Sequence, residues 1–135
     1  MVLAVRILLR VAAAVGLAVD AAVHANLAGQ YDAVDATISE GTLFRIEAGA
    51  AALSFVLVLV LRRWLGDLFA AVTALAGIAA ILLYRYVDVG AFGPFPNMYE
   101  PVWSSEKVWA LAAQILALLT LLPLLIRRKA ESPSP

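Results

Sequence analysis

The sequence predicts an all-α fold: a four-span antiparallel bundle of transmembrane helices with both termini in the cytoplasm. Three observations predict it. Of the 135 residues, 64% are hydrophobic; four apolar runs are long enough to cross a bilayer; and basic residues cluster at alternate ends of these runs. An average soluble domain has about 45–50% hydrophobic residues, and one of this size buries only about two thirds of its unfolded surface. A water-soluble enzyme is therefore not expected.

The four apolar runs define a single transmembrane domain over residues 1–129. A helix needs about 20 apolar residues to cross about 30 Å of hydrocarbon. Runs of this length lie at residues 7–27, 43–61, 68–87 and 108–126. Each is rich in Ala, Leu, Val and Ile around its whole circumference, which is typical of helices embedded in lipid. Gly49 and Gly77, inside the second and third runs, are expected to be places of close helix approach. The Ser- and Pro-rich tail, residues 130–135, is predicted to be disordered.

The basic residues predict the orientation in the cell membrane. Seven of the ten flank the runs on one side: Arg6, Arg10, Arg62, Arg63, Arg127, Arg128 and Lys129. The positive-inside rule places that side, with both termini, in the cytoplasm. An alternative interpretation treats the N-terminal segment as a secretory signal, with basic residues before an apolar stretch at 11–19 and a cleavage site at 23–25; cleavage would leave three spans.

Two long loops are predicted outside, at residues 28–42 and 88–107. Gly41 and Thr42 suggest a turn and cap before the second span, and Asp67 is a candidate cap for the third. Ser104 or Ser105 is expected to cap the fourth. The second loop carries a set of side chains predicted to cover the bundle mouth as a lid or to dock a partner: Phe92, Phe95, Tyr99, Glu100 and Trp103.

Every span contributes a polar side chain to its outer half. Asp20 and His24 are four residues apart and share one helix face. Glu47, Arg85 and Gln114 come from the other three spans. At about 1.5 Å per residue, Asp20 and Gln114 lie about 10 Å below the outer ends of their helices. Because ionisable groups inside spans are costly, these five residues predict an outward-facing polar pocket.

Several function classes are disfavoured by composition. The net charge is zero, which gives no indication of a nucleic-acid partner, and the absence of cysteine removes disulfides and thiolate metal sites. The loop segment 92–103 has no Ser, His or Cys nucleophile beside a base and no Gly-rich phosphate motif. We therefore expect no cofactor and no resident metal, and a non-enzymatic protein whose pocket binds a small polar or lipid ligand or docks a partner membrane protein or a second copy.

Alternatives remain open at this point. A small proton-coupled transporter would use Asp20 as its buried carboxylate and His24 as a relay. A purely structural arrangement would pair Asp20 with Arg85 and Glu47 with Arg45. A divalent cation held by Asp20, His24 and Glu47, or a haem shared by His24 and Met98, is the least favoured interpretation.

Overall fold

The structure, a computed structural model, describes residues 1–131, with the side chains of residues 1–127. These residues form four α-helices and contain no strands longer than one bridge between Phe92 and Phe95. The helices are α1 (Leu3–Leu27), α2 (Glu40–Val56), α3 (Trp64–Tyr86) and α4 (Ser105–Glu131). The all-α prediction is confirmed. The predicted tail lies partly in α4, and its last four residues lie outside the described part of the chain.

Consecutive helices run antiparallel around a common core. Helix α1 packs on α2 and α4, and α3 packs on α4 and, over a smaller surface, on α2. Helices α1 and α4 also run in opposite directions. Gly16 of α1 approaches Ala117 of α4, while Asp20, one turn later along α1, contacts Gln114, which precedes Ala117 in α4. We call the end that carries residues 28–39 and 87–104 the loop end, and the opposite end the termini end.

Small side chains let the helices approach closely. The core of the termini half is mostly alanine: Ala13, Ala70, Ala74 and Ala117 are buried, with Leu17 and Leu121 between them. Gly16 sits so close to α4 that an added Cβ would lie 2.5 Å from the carbonyl oxygen of Ala113. Such close packing is the main source of helix association in lipid.

Three helices are long and apolar enough to cross a membrane: Glu40–Leu61, Trp64–Tyr86 and Ser105–Arg127. Their outer surfaces leave large apolar side chains uncovered, among them Val72 (56% exposed), Leu75 and Leu119. Apolar surface on this scale is unfavourable in water and is expected where lipid is the solvent. Helix α1 is as long, and carries Arg10 and Asp20 within its length.

The helix starts partly follow the predicted caps. Ser39, not Thr42, caps α2, because its hydroxyl accepts a hydrogen bond from the Thr42 amide at 3.0 Å. Ser104 caps α4 as predicted, accepting from the Lys107 amide at 3.2 Å. The Asp67 prediction is wrong: α3 has no side-chain cap, and Asp67 is fully buried inside the bundle.

The end of α2 departs from regular helix. Residues Leu57–Leu61 form a π-helical turn, and Arg62 follows in the left-handed conformation at φ 55°. A π turn shifts the main-chain hydrogen bonds from i−4 to i−5, so carbonyl groups there can take other partners. One of them, the Val58 carbonyl, accepts a hydrogen bond from the Arg10 side chain.

Candidate functional site

A cavity of about 340 Å³ opens between the four helices at the loop end. This volume lies within the range of small-molecule sites. Most of the wall is apolar or aromatic, from Leu27, Leu43, Phe44, Ala80, Ile81 and Phe95. The polar part of the lining contains His24, Glu47 and Arg85 of the predicted set, together with Tyr31, Glu40, Tyr84, Glu100, Glu106 and Lys107.

A buried polar cluster lies at the inner end of this cavity. Asp20 is fully buried, and its Oδ1 accepts a hydrogen bond from Gln114 Nε2 at 3.1 Å. The same oxygen lies 2.8 Å from His24 Nδ1, which is also 2.9 Å from the Asp20 carbonyl oxygen. Glu47 reaches the cluster from α2, within hydrogen-bonding reach of the Asp20 carboxyl. Helices α1, α2 and α4 thus meet at one carboxylate.

Hydrogen-bond acceptors outnumber donors in this cluster. Three buried oxygens have no donor partner: Asp20 Oδ2, Glu47 Oε2 and Gln114 Oε1. A buried acceptor without a donor costs about 1–3 kcal/mol. The arrangement therefore calls for a donor from outside the cluster.

Gly77 of α3 makes room for the Gln114 side chain. An added Cβ at Gly77 would collide with the amide group of Gln114. The sequence identifies Gly77 as a place of close approach, and the structure confirms it. The same prediction for Gly49 is wrong, since nothing lies within 4 Å of the position its Cβ would occupy.

Arg85 lines the cavity but pairs with none of its carboxylates. Its guanidinium lies over the rings of Tyr86, at 4.7 Å, and Trp103, at 5.3 Å, and its Nε is buried without a partner. Arg45 points to the loop instead and binds Asp32 through two hydrogen bonds of 2.7 and 2.9 Å, which lower the pKa of the Asp32 carboxyl. The alternative pairs Asp20–Arg85 and Glu47–Arg45 do not form.

The two segments at the loop end are held to each other and to the helices by hydrogen bonds and an ion pair. Tyr31 donates to Glu100 at 3.0 Å, and burial together with this hydrogen bond raises the pKa of Tyr31 to about 12. The Glu100 amide donates to the Tyr84 carbonyl, and the Ile38 amide donates to the Pro94 carbonyl at 2.9 Å. Lys107 of α4 adds a 3.3 Å ion pair with Glu100.

The predicted lid residues divide into two groups. Phe95 and Glu100 line the cavity, as does Met98. Tyr99 and Trp103 are exposed and do not line it; Trp103 instead packs against Tyr86 and Arg85 on the outside. Phe92 is 68% exposed and forms the turn that Phe95 closes. The roof is therefore made by the centre of the loop rather than by all its aromatic residues.

A second polar cluster, at the termini end, was not predicted. Arg10 of α1 donates to both carboxylate oxygens of Asp67 of α3, at 2.9 and 3.0 Å, and also to the Val58 carbonyl at 3.0 Å. Arg10 is 6% exposed and Asp67 is fully buried. The sequence shows Arg10 only as a flanking cation. The available signal was Asp67 itself, a carboxylate on the side of the bundle that holds most of the arginines.

Within residues 1–131, no group of three or more His, Asp or Glu side chains is arranged to hold a metal ion. No protein-family model, curated protein or solved structure matches the chain. The case for a function therefore rests on the cavity and its polar cluster.

Proposed function

We propose that this chain is a non-enzymatic integral membrane protein of four spans that binds a small ligand in the loop-end cavity. One observation carries the proposal: a cavity of about 340 Å³ with apolar walls ends on a buried cluster that lacks hydrogen-bond donors. Ligand sites combine these two properties, because apolar walls supply binding energy and a few polar groups fix orientation. Binding to a partner membrane protein and proton-coupled transport stay predictions.

The proposal counts α1 as a membrane span in addition to the three apolar helices, so that four helices cross the cell membrane and both termini lie in the cytoplasm. Arg10 is neutralised by Asp67 and Asp20 is buried, so neither places an unpaired charge against lipid. The basic residues at the termini end support this orientation by the positive-inside rule.

The orientation can be tested by cysteine labelling, since the chain has no cysteine of its own. Ala33→Cys lies in the first outer loop and Leu65→Cys lies at the termini end; both positions are exposed. We expect a membrane-impermeant maleimide to label Ala33→Cys in intact cells and Leu65→Cys only after permeabilisation. The reverse pattern would contradict the orientation, and labelling of both in intact cells would show that α2 does not cross the membrane.

Access to the cavity can be tested at Ala80, which lines it. We expect Ala80→Cys to react with a small neutral thiol reagent, methyl methanethiosulfonate, in purified protein in lipid nanodiscs. The reaction should slow at least about tenfold when Ile81 is also changed to Trp, because the added ring fills the cavity. Val72→Cys, at 56% exposure on the outer surface of α3, is the control for reaction at lipid-facing thiols and should not respond to that change. An unreactive Ala80→Cys in folded protein would exclude an open ligand cavity.

A further inference from the structure

Carboxyl groups outnumber basic side chains in the lining of the cavity. Four carboxyl side chains line it, from Glu40, Glu47, Glu100 and Glu106, against two cations. Lys107 is already satisfied, because it pairs with Glu100 and donates to the carbonyls of Glu100 and Val102 at 3.0 and 2.8 Å. Arg85 is held against Tyr86 and Trp103. The space that remains favours a positively charged occupant.

The inner end of the cavity specifies what kind of cation fits. The unpartnered atoms of the cluster are acceptors: Asp20 Oδ2, Glu47 Oε2 and Gln114 Oε1. A single proton held between the Asp20 and Glu47 carboxyls supplies one donor. A primary ammonium group carries three donors and one positive charge, so it satisfies more of these acceptors and neutralises a carboxylate.

The walls determine the rest of the ligand. Much of the wall near Glu47 is apolar, including Leu43, Phe44, Ala80, Ile81 and Phe95, and offers aliphatic and aromatic contact to the body of a ligand. Aromatic rings beside a cation also attract it through their electron-rich faces.

We propose that the cavity binds a primary amine on an apolar body, with the ammonium group at Glu47 and the body between the apolar walls. This inference rests on the proposed function and names the ligand class of the same site. Asp20 and His24 position the Glu47 end of the site, and Gln114 fixes Asp20 through its 3.1 Å hydrogen bond.

The test measures protection of Ala80→Cys in nanodiscs against methyl methanethiosulfonate. The probes are 4-phenylbutylamine, its neutral analogue 4-phenyl-1-butanol, and the N,N,N-trimethyl derivative of the amine. We expect the primary amine to protect at concentrations at least about tenfold lower than the alcohol, since a charge-assisted hydrogen bond is replaced by a neutral one. The trimethyl derivative, which has no N–H donors, should also protect at least about tenfold less well than the primary amine.

Two substitutions locate the ammonium group. Glu47→Gln keeps the shape of the side chain and removes its charge, and should weaken protection by the amine at least about tenfold while leaving protection by the alcohol unchanged. Asp35→Asn, an exposed carboxyl outside the cavity, is the matched control and should change neither. Val72→Cys should not be protected by any probe, which excludes a general effect of amines dissolved in lipid.

The outcomes distinguish a failure of this inference from a failure of the proposed ligand-binding function. A reactive Ala80→Cys that amine and alcohol protect equally would overturn the amine site and leave the cavity as a ligand site. Equal protection by the primary and trimethyl amines would overturn the donor-based argument. Failure of Ala80→Cys to react in folded protein would remove the proposed function and this inference together.

Discussion

Replacing Arg10 with Met is expected to lower the free energy of unfolding by about 3–5 kcal/mol, the usual cost of removing one partner of a buried ion pair. The change removes the two hydrogen bonds that Arg10 donates to the buried Asp67 carboxylate. It also removes the hydrogen bond that Arg10 donates to the Val58 carbonyl. Because Asp67 is fully buried, water does not replace the lost partner. Unfolding of purified protein by sodium dodecyl sulfate, followed by circular dichroism, measures the change.

Two comparisons make this result specific to the pair. Arg63→Met removes an exposed cation from the same end of the bundle and should alter stability by less than about 0.5 kcal/mol. The double change Arg10→Met with Asp67→Leu removes both charges and should recover most of the loss, since apolar replacements of buried pairs are often neutral. If Arg10→Met is no more damaging than Arg63→Met, the pair does not hold α1 to α3.

Asp20→Leu is expected to be the second most damaging change. It removes Asp20 Oδ1, which is the acceptor for Gln114 Nε2 and lies 2.8 Å from His24 Nδ1. His24 Nδ1 keeps the main-chain carbonyl of residue 20, whereas the Gln114 donor is left without an acceptor. Because a buried donor without an acceptor costs about 1–3 kcal/mol, the free energy of unfolding should fall by about that amount in the same denaturation experiment.

Asp20→Asn is the isosteric comparison. The Asn carbonyl oxygen accepts from His24 and Gln114 as the carboxylate does, and its amide supplies a donor toward Glu47, which now lacks one. We expect this variant to be within about 1 kcal/mol of the original protein. A loss as large as that of Asp20→Leu would show that the charge of Asp20, not its hydrogen-bonding geometry, stabilises the bundle.

The depth of each polar side chain could be predicted from the sequence, because the helical rise and the loop positions fix how far each lies from a helix end. His24, Glu47 and Arg85 line the cavity, and Asp20 and Gln114 lie in or beneath its floor, as their numbers along the spans indicate. Partners could not be predicted, since pairing depends on the rotation of each helix about its axis and on side-chain reach. Arg85 illustrates this: its cation lies at the right depth, yet it stacks on aromatic rings.

Close packing was only partly predictable for the same reason. Gly77 faces α4 and accommodates Gln114, whereas Gly49 faces open space. Gly16 lies against the α4 backbone, yet it is one of several small residues in α1, and their spacing does not single it out. Spacing along one helix tells which residues share a face, but not which face meets a neighbour.

The Arg10–Asp67 pair bears on how a ligand of the proposed site would leave. It joins the diagonally opposed helices α1 and α3 at the termini end, next to a core in which alanines pack with Leu17 and Leu121. Movement of a ligand through this end would require the two helices to separate and their charged hydrogen bonds to break. A ligand of the proposed site is therefore expected to enter and leave at the loop end.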